Sequence, residues 1–188
     1  MVLRSQHQEI LLFPGLGDDT TIQRQQRYIS WLNKRRPIDA QIYMFNTKWQ
    51  TQERFSDKLA RAKEFVQSHP DTKIGYGISA GASLLMSLSA ELPRNFHYYF
   101  ISGKLRNPQT IGEEHRKRAP ALFDSVIACE QSITSHTNKQ HMRCYAGYLD
   151  RVLDQDDMQI PDVTFTRIPM VNHTLTIVSA YACILPRL

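Results

Sequence analysis

The stretch Lys73-Ile74-Gly75-Tyr76-Gly77-Ile78-Ser79-Ala80-Gly81-Ala82-Ser83-Leu84-Leu85-Met86 decides how this chain folds. Residues 73–78 are a short apolar run, which reads as a buried strand. From Ala80 to Leu92 the composition turns to Ala, Leu and Met, all strong helix formers, so a helix starts directly behind the strand. Only Ser79 separates the two elements. A junction this sharp lifts its side chain out of the sheet edge and leaves no room for side chains two residues away. Gly77 and Gly81 occupy those two positions. The helix N-terminus behind Ser79 points N–H groups at any anion that develops there.

The same alternation runs outward in both directions. Ile10-Leu11-Leu12-Phe13 reads as a strand ending in the turn Pro14-Gly15-Leu16-Gly17. Asp18 to Thr21 offer caps, and Ile22, Gln26, Ile29 and Leu32 then recur at helical spacing until Pro37. Ile42-Tyr43-Met44-Phe45 is a second strand. Phe55, Leu59, Ala62, Phe65 and Val66 mark an amphipathic helix that stops at Ser68-His69-Pro70-Asp71. Beyond Leu92, Phe96 to Ile101, Met142 to Ala146 and Val163 to Ile168 read as further strands. Ala121 to Ile133 is helical, and Leu175 to Leu185 forms a closing helix. Residues 103–119 are polar, charged and without periodicity, so they read as an excursion. The pattern predicts one α/β domain over residues 1–188, a three-layer α/β/α sandwich around a mostly parallel six-stranded sheet. In such sheets function gathers at the carboxyl ends of the strands.

Three of those ends carry a nucleophile, a carboxylate and an imidazole, in that order along the chain. Ser79 follows the third strand, Gly147-Tyr148-Leu149-Asp150 follows the fifth, and Pro169-Met170-Val171-Asn172-His173 follows the sixth. With a G-x-S-x-G at residues 77–81 and the order Ser, Asp, His, the sequence resembles the α/β-hydrolase superfamily over nearly its whole length. The resemblance implies a minimal six-stranded version, without the leading antiparallel strand pair or a large cap domain; residues 103–119 would be at most a small lid. It implies Ser79 as nucleophile, His173 as base and Asp150 as the acid that orients it. The backbone N–H groups of Leu16 and Ala80 would form the oxyanion hole, with Gly17 as the alternative to Leu16. The first loop departs from the family pattern: Pro14 stands where many relatives carry His, and no run of three glycines follows. The implied reaction is hydrolysis of a carboxylic ester or thioester through an acyl-enzyme, with a small-molecule substrate and no cofactor or metal.

Each residue also has a plainer reading. Ser79 can serve merely as a helix N-cap. Asp150 can be a turn residue, and Asp154, Asp156 and Asp157 compete with it as the acid. His173 can be no more than a neighbour of the last helix start. Asp18 and Asp19 read as helix-capping groups beside the oxyanion loop, with substrate contact as the alternative. Gly75-x-Gly77-x-x-x-Gly81 resembles a dinucleotide-binding loop, but it follows the third strand, and no acid ends the next one. A catalytically silent binding protein on the same fold is the alternative to an enzyme.

Composition bounds the rest. Among 188 residues, 41% are hydrophobic and the net charge is +5, the balance of an ordinary soluble protein. The densest cationic groups, Lys34-Arg35-Arg36 and His115-Arg116-Lys117-Arg118, are short, which favours a solvated surface over a nucleic-acid face. Cys129, Cys144 and Cys183 form no metal-ligand or disulfide pattern and fit buried thiols in a reducing, cytoplasmic setting. No secretory h-region is visible at the start, and no apolar run approaches the ~18 residues of a membrane span.

Overall fold

The computed structural model describes residues 8–35 and 40–179. Its strands are β1 (Gln8–Phe13), β2 (Ala40–Met44), β3 (Ile74–Ile78), β4 (His97–Ile101), β5 (Met142–Gly147) and β6 (Thr164–Ile168). The helices are α1 (Asp19–Arg35), α2 (Phe55–Gln67), α3 (Ala80–Ser87), α4 (Glu113–Arg118), α5 (Ala121–Ser135), α6 (Gln155–Met158) and α7 (His173–Ser179). All six strands join one sheet in the order β2-β1-β3-β4-β5-β6. Every neighbouring pair is parallel.

The strands alternate between two cores. Leu11 and Phe13 of β1 pack with Ala62 and Val66 of α2, Leu84 and Leu85 of α3, and Val126 and Ile133 of α5. Ile10 and Leu12 point the other way, to Ile29 and Leu32 of α1, with Ile177 of α7 against the same cluster. Helices therefore cover both faces. Ile10, Leu11, Leu12 and Phe13 are all wholly buried, which is why β1 reads as an unbroken apolar run. Each such side chain contributes roughly 1.5–3 kcal/mol of burial. Strand β6 ends the sheet, and Thr164, Thr166 and Arg167 leave that edge exposed and polar.

Two elements differ from the sequence reading. Helix α3 ends at Ser87, not Leu92. The Ser87 hydroxyl donates back to the Ser83 carbonyl at 2.8 Å, and Leu88 and Ser89 close tight turns onto Leu85 and Met86. Residues 103–119 are also more ordered than an unstructured excursion. They hold a 3-10 turn at Pro108–Thr110 and the helix α4. Helix α4 buries no residue, so no apolar period could announce it. Its support is electrostatic: Glu113 and Glu114 in the first turn, Arg116, Lys117 and Arg118 in the last, and a Lys117–Glu113 ion pair at 2.7 Å. Pro37, Cys183 and positions 180–185 of the closing helix lie outside the described residues.

The strand order sets where a site can form. β1 has β2 on one side and β3 on the other. The chain leaving β1 enters α1 on one face, and the chain leaving β3 enters α3 on the opposite face. The two exits diverge and open a crevice at the carboxyl edge of the sheet.

Candidate active site

Ser79 stands in that crevice. Its backbone sits at φ 51° and ψ −122°, a region a residue with a Cβ occupies only when its surroundings force it. The surroundings here are tight. A Cβ on Gly77 would lie 2.5 Å from the Ala82 Cα, and one on Gly81 would lie 2.0 Å from the Phe13 carbonyl oxygen. The flanking glycines thus let α3 press directly against β1 and β3. Ser79 N–H donates to the Ile101 carbonyl at 2.9 Å, tying the junction to β4. The Ser79 side chain makes no capping hydrogen bond to α3, so the plainer N-cap reading does not describe it.

Its hydroxyl instead faces His173, with Oγ 3.4 Å from Nε2. The other ring nitrogen, Nδ1, lies 2.9 Å from Asp150 Oδ2. Residues from the ends of β3, β5 and β6 therefore meet in one chain of polar contacts. Gly147 makes the meeting possible. A Cβ there would lie 2.2 Å from the Val171 carbonyl oxygen and 2.5 Å from Thr176 Oγ1, so the loop after β6 folds straight across the end of β5. Leu149 N–H donates to the Val171 carbonyl at 3.0 Å. Asn172 Oδ1 accepts from Leu175 N–H at 3.0 Å and caps α7 just ahead of His173.

The Asp150 side chain is 1% exposed and that of His173 is 14% exposed. Burial pushes the Asp150 carboxyl up, yet the balance holds it below the ordinary carboxylate value. His173 opposes burial most, through its hydrogen bond and charge; the Val152 N–H and the nearby Ser102 hydroxyl add to it. Val152 N–H reaches Asp150 Oδ1 at 3.0 Å. The competing carboxylates are engaged elsewhere: Asp154 and Asp157 form the capping box of α6, and Asp156 is exposed.

Around Ser79 lies a cavity of about 400 Å³, whose wall includes Leu16, Ala80, Ile111, Leu122 and His173. Ala80 is the first residue of α3, where backbone N–H groups have no partner within the helix. Leu16 comes from the loop after β1. In that loop Asp18 Oδ1 accepts from Thr21 N–H at 2.7 Å, which makes Asp18 a cap of α1. The Thr21 side chain and N–H both hold the Asp18 carboxyl low. Ile111 lines the cavity, whereas Leu105 is wholly buried and belongs to the core.

Sequence reasoning missed Trp49 and Lys58, and it read Lys104 only as one of the cations of the 103–119 excursion. Trp49 Nε1 donates to the Pro14 carbonyl at 3.3 Å, bracing the first loop. Lys58, 0% exposed, donates to the Lys48 carbonyl at 2.6 Å and to Thr51 Oγ1 at 2.8 Å. That pins the segment carrying Trp49. The only available signal was that Pro14 and Trp49 both lie in loops that follow strands, β1 and β2. Cys129 and Cys144 are buried free thiols, and burial pushes Cys144 up to about 12.

The fold is similar to that of solved esterase and lipase structures. The esterase domain of a Rhodothermus marinus protein matches with a TM-score of 0.62 at 12% identity, over 98% of this chain and 85% of that one. The ydeN gene product of B. subtilis matches at 0.60 and 15% identity, over 93% and 98%. The monoacylglycerol lipase of Paleococcus ferrophilus matches at 0.58 and 10% identity, over 88% and 85%. With its six-stranded parallel sheet, the chain has the α/β-hydrolase fold. No family model matches its sequence, and no curated protein does. Among the described residues, no helix is long and apolar enough to cross a membrane, and no group of His, Cys, Asp and Glu could hold a metal ion.

Proposed function

We propose that this protein is a serine hydrolase that cleaves carboxylic esters, with thioesters as the related substrate class. The observation that carries the reading is the contact chain Ser79 Oγ to His173 Nε2 at 3.4 Å and His173 Nδ1 to Asp150 Oδ2 at 2.9 Å. The first distance is long for a hydrogen bond, as such contacts often are before substrate tightens them. His173 takes the Ser79 proton as Oγ attacks the carbonyl carbon. Asp150 holds the ring with Nδ1 as donor and stabilises the imidazolium. The N–H groups of Leu16 and Ala80 receive the oxyanion, a contribution of about 3 kcal/mol per donor. The protonated His173 then releases the alcohol or thiol, and water attacks the acyl-enzyme by the same route in reverse.

The esterase and lipase names of the structural neighbours support this chemistry. The whole chain acts as one α/β domain in which residues 103–119 cover the cavity as a small lid; Lys104, Ile111 and Ala119 of that stretch line the wall. The buried free thiols support a cytoplasmic setting.

The test is a fluorophosphonate probe together with p-nitrophenyl esters of graded acyl length. Covalent modification at Ser79, with turnover of at least one ester, is the expected result. A folded protein that neither takes the probe nor turns over any ester would instead be a silent binding module on this fold.

A further inference from the structure

We propose that Lys104 recognises the substrate, donating one hydrogen bond to an oxygen acceptor that the substrate carries apart from its ester group; this rests on Ser79 being the nucleophile. Lys104, Thr110 and Asp157 line the same cavity as Ser79 and His173. Lys104 is only 5% exposed and Asp157 3%, and Lys104 Nζ lies 2.7 Å from Asp157 Oδ1.

Counting protons shows what this pair leaves over. The Asp157 carboxylate is fully engaged. Besides Lys104, it accepts from Asn107 Nδ2 at 3.2 Å, from Thr110 Oγ1 at 3.2 Å and from Asp154 N–H at 3.2 Å. An ammonium has three N–H donors. Asp157 takes one and Thr110 Oγ1 a second. The third has no acceptor among the described residues, and the space beside it is the cavity. The cavity wall combines the apolar Ile111, Ala119, Leu122 and Leu153 with the polar Gln25, Gln50, His115 and Arg118. Lys104 is the donor held in place there by a buried carboxylate, so it selects for a ligand oxygen placed opposite it, because a substrate without that oxygen leaves the donor unpaired.

The geometry also explains why a lysine sits here. Asp157 caps α6 and its carbonyl accepts from Leu105 and Arg106 N–H at 2.9 and 3.1 Å, so it already holds the 103–112 segment in place. A buried ion pair is weak as a stabilising device, because desolvation offsets much of the attraction. The Asp157 carboxylate already serves its neighbours as an acceptor, and what Lys104 adds is a directed donor inside the cavity. The substrate class is therefore an ester bearing a hydroxyl, oxo or carboxylate oxygen.

The experiment compares esters in matched pairs. On the acyl side, p-nitrophenyl butyrate is set against p-nitrophenyl 3-hydroxybutyrate and the p-nitrophenyl monoester of succinate. On the alcohol side, propyl butyrate is set against glycerol monobutyrate. The wild-type protein should prefer an oxygen-bearing member by about tenfold or more in kcat/KM, in whichever arm places that oxygen at Lys104. In Lys104→Met/Asp157→Leu, which leaves no unpaired buried charge, the preference should collapse to within about twofold. Ratios within one protein are insensitive to loss of folded fraction. A wild type that turns esters over and labels at Ser79 but shows no preference in either arm overturns the role of Lys104 alone. So does a preference that survives in the double variant. Absence of both labelling and turnover overturns the hydrolase reading beneath it.

Discussion

The indole N–H of Trp49 donates to the carbonyl oxygen of Pro14 at 3.3 Å, joining residues 35 apart in the chain. Trp49 is 1% exposed, and the buried Lys58 holds its segment from below. Pro14 leads directly into Gly15 and Leu16, so this bond anchors the loop whose Leu16 N–H the proposed reaction uses. Trp49→Phe keeps most of the packing and removes the donor. We expect kcat to fall about tenfold with KM within about twofold, the signature of an interaction felt mainly in the transition state. A raised KM at unchanged kcat would mean that the indole serves binding only.

Ser79 makes a second prediction, because its φ of 51° carries strain that a Cβ aggravates. Ser79→Ala and Ser79→Gly should both lose turnover and probe labelling. Their stabilities should differ: glycine relieves the strain, so Ser79→Gly should exceed Ser79→Ala by about 1 kcal/mol in urea unfolding. Equal stabilities would show that the turn is not strained.

The acid can be separated from its neighbours by two isosteric changes. Asp150→Asn should lower kcat by up to about 10⁴, through loss of control over the His173 tautomer. Asp154→Asn touches only the cap of α6 and should leave turnover near wild type, at a stability cost of about 1 kcal/mol or less. The reverse pattern would move the acid four residues along the chain.

Glu53 carries a pH-dependent part of the stability. Its hydrogen bond to Arg61 outweighs burial, and with Lys58 brings its pKa to about 2 from 4.5. A depressed folded pKa means that ionised Glu53 stabilises the fold above pH 4.5, and that the contribution is lost as pH falls toward 2. Glu53→Gln should therefore be less stable than wild type by about 2 kcal/mol at pH 7. The gap should close as the pH drops from 5 toward 2. Unfolding curves that stay equally far apart over that range would assign Glu53 a packing role instead.

What the sequence determined alone was local. Periodicity and the apolar runs marked all six strands and most helices; the signal was plainest in β1 and β3, because burial on both faces of a parallel sheet writes itself into consecutive residues. Two glycines around Ser79 marked the sharp turn, because backbone from β1 and α3 occupies the space their side chains would need. Helix α4, with no buried face, left no such trace. The tertiary structure decided everything that depends on distance. Sheet order opened the crevice between β1 and β3, and Gly147 let the His173 loop cross β5 to reach Ser79. The bonds from Trp49 to Pro14 and from Lys104 to Asp157 likewise join residues far apart in the chain. Such pairs obey no short-range rule. They form only once the sheet and its two layers have brought the strand ends together, where an unpaired buried polar group is costly.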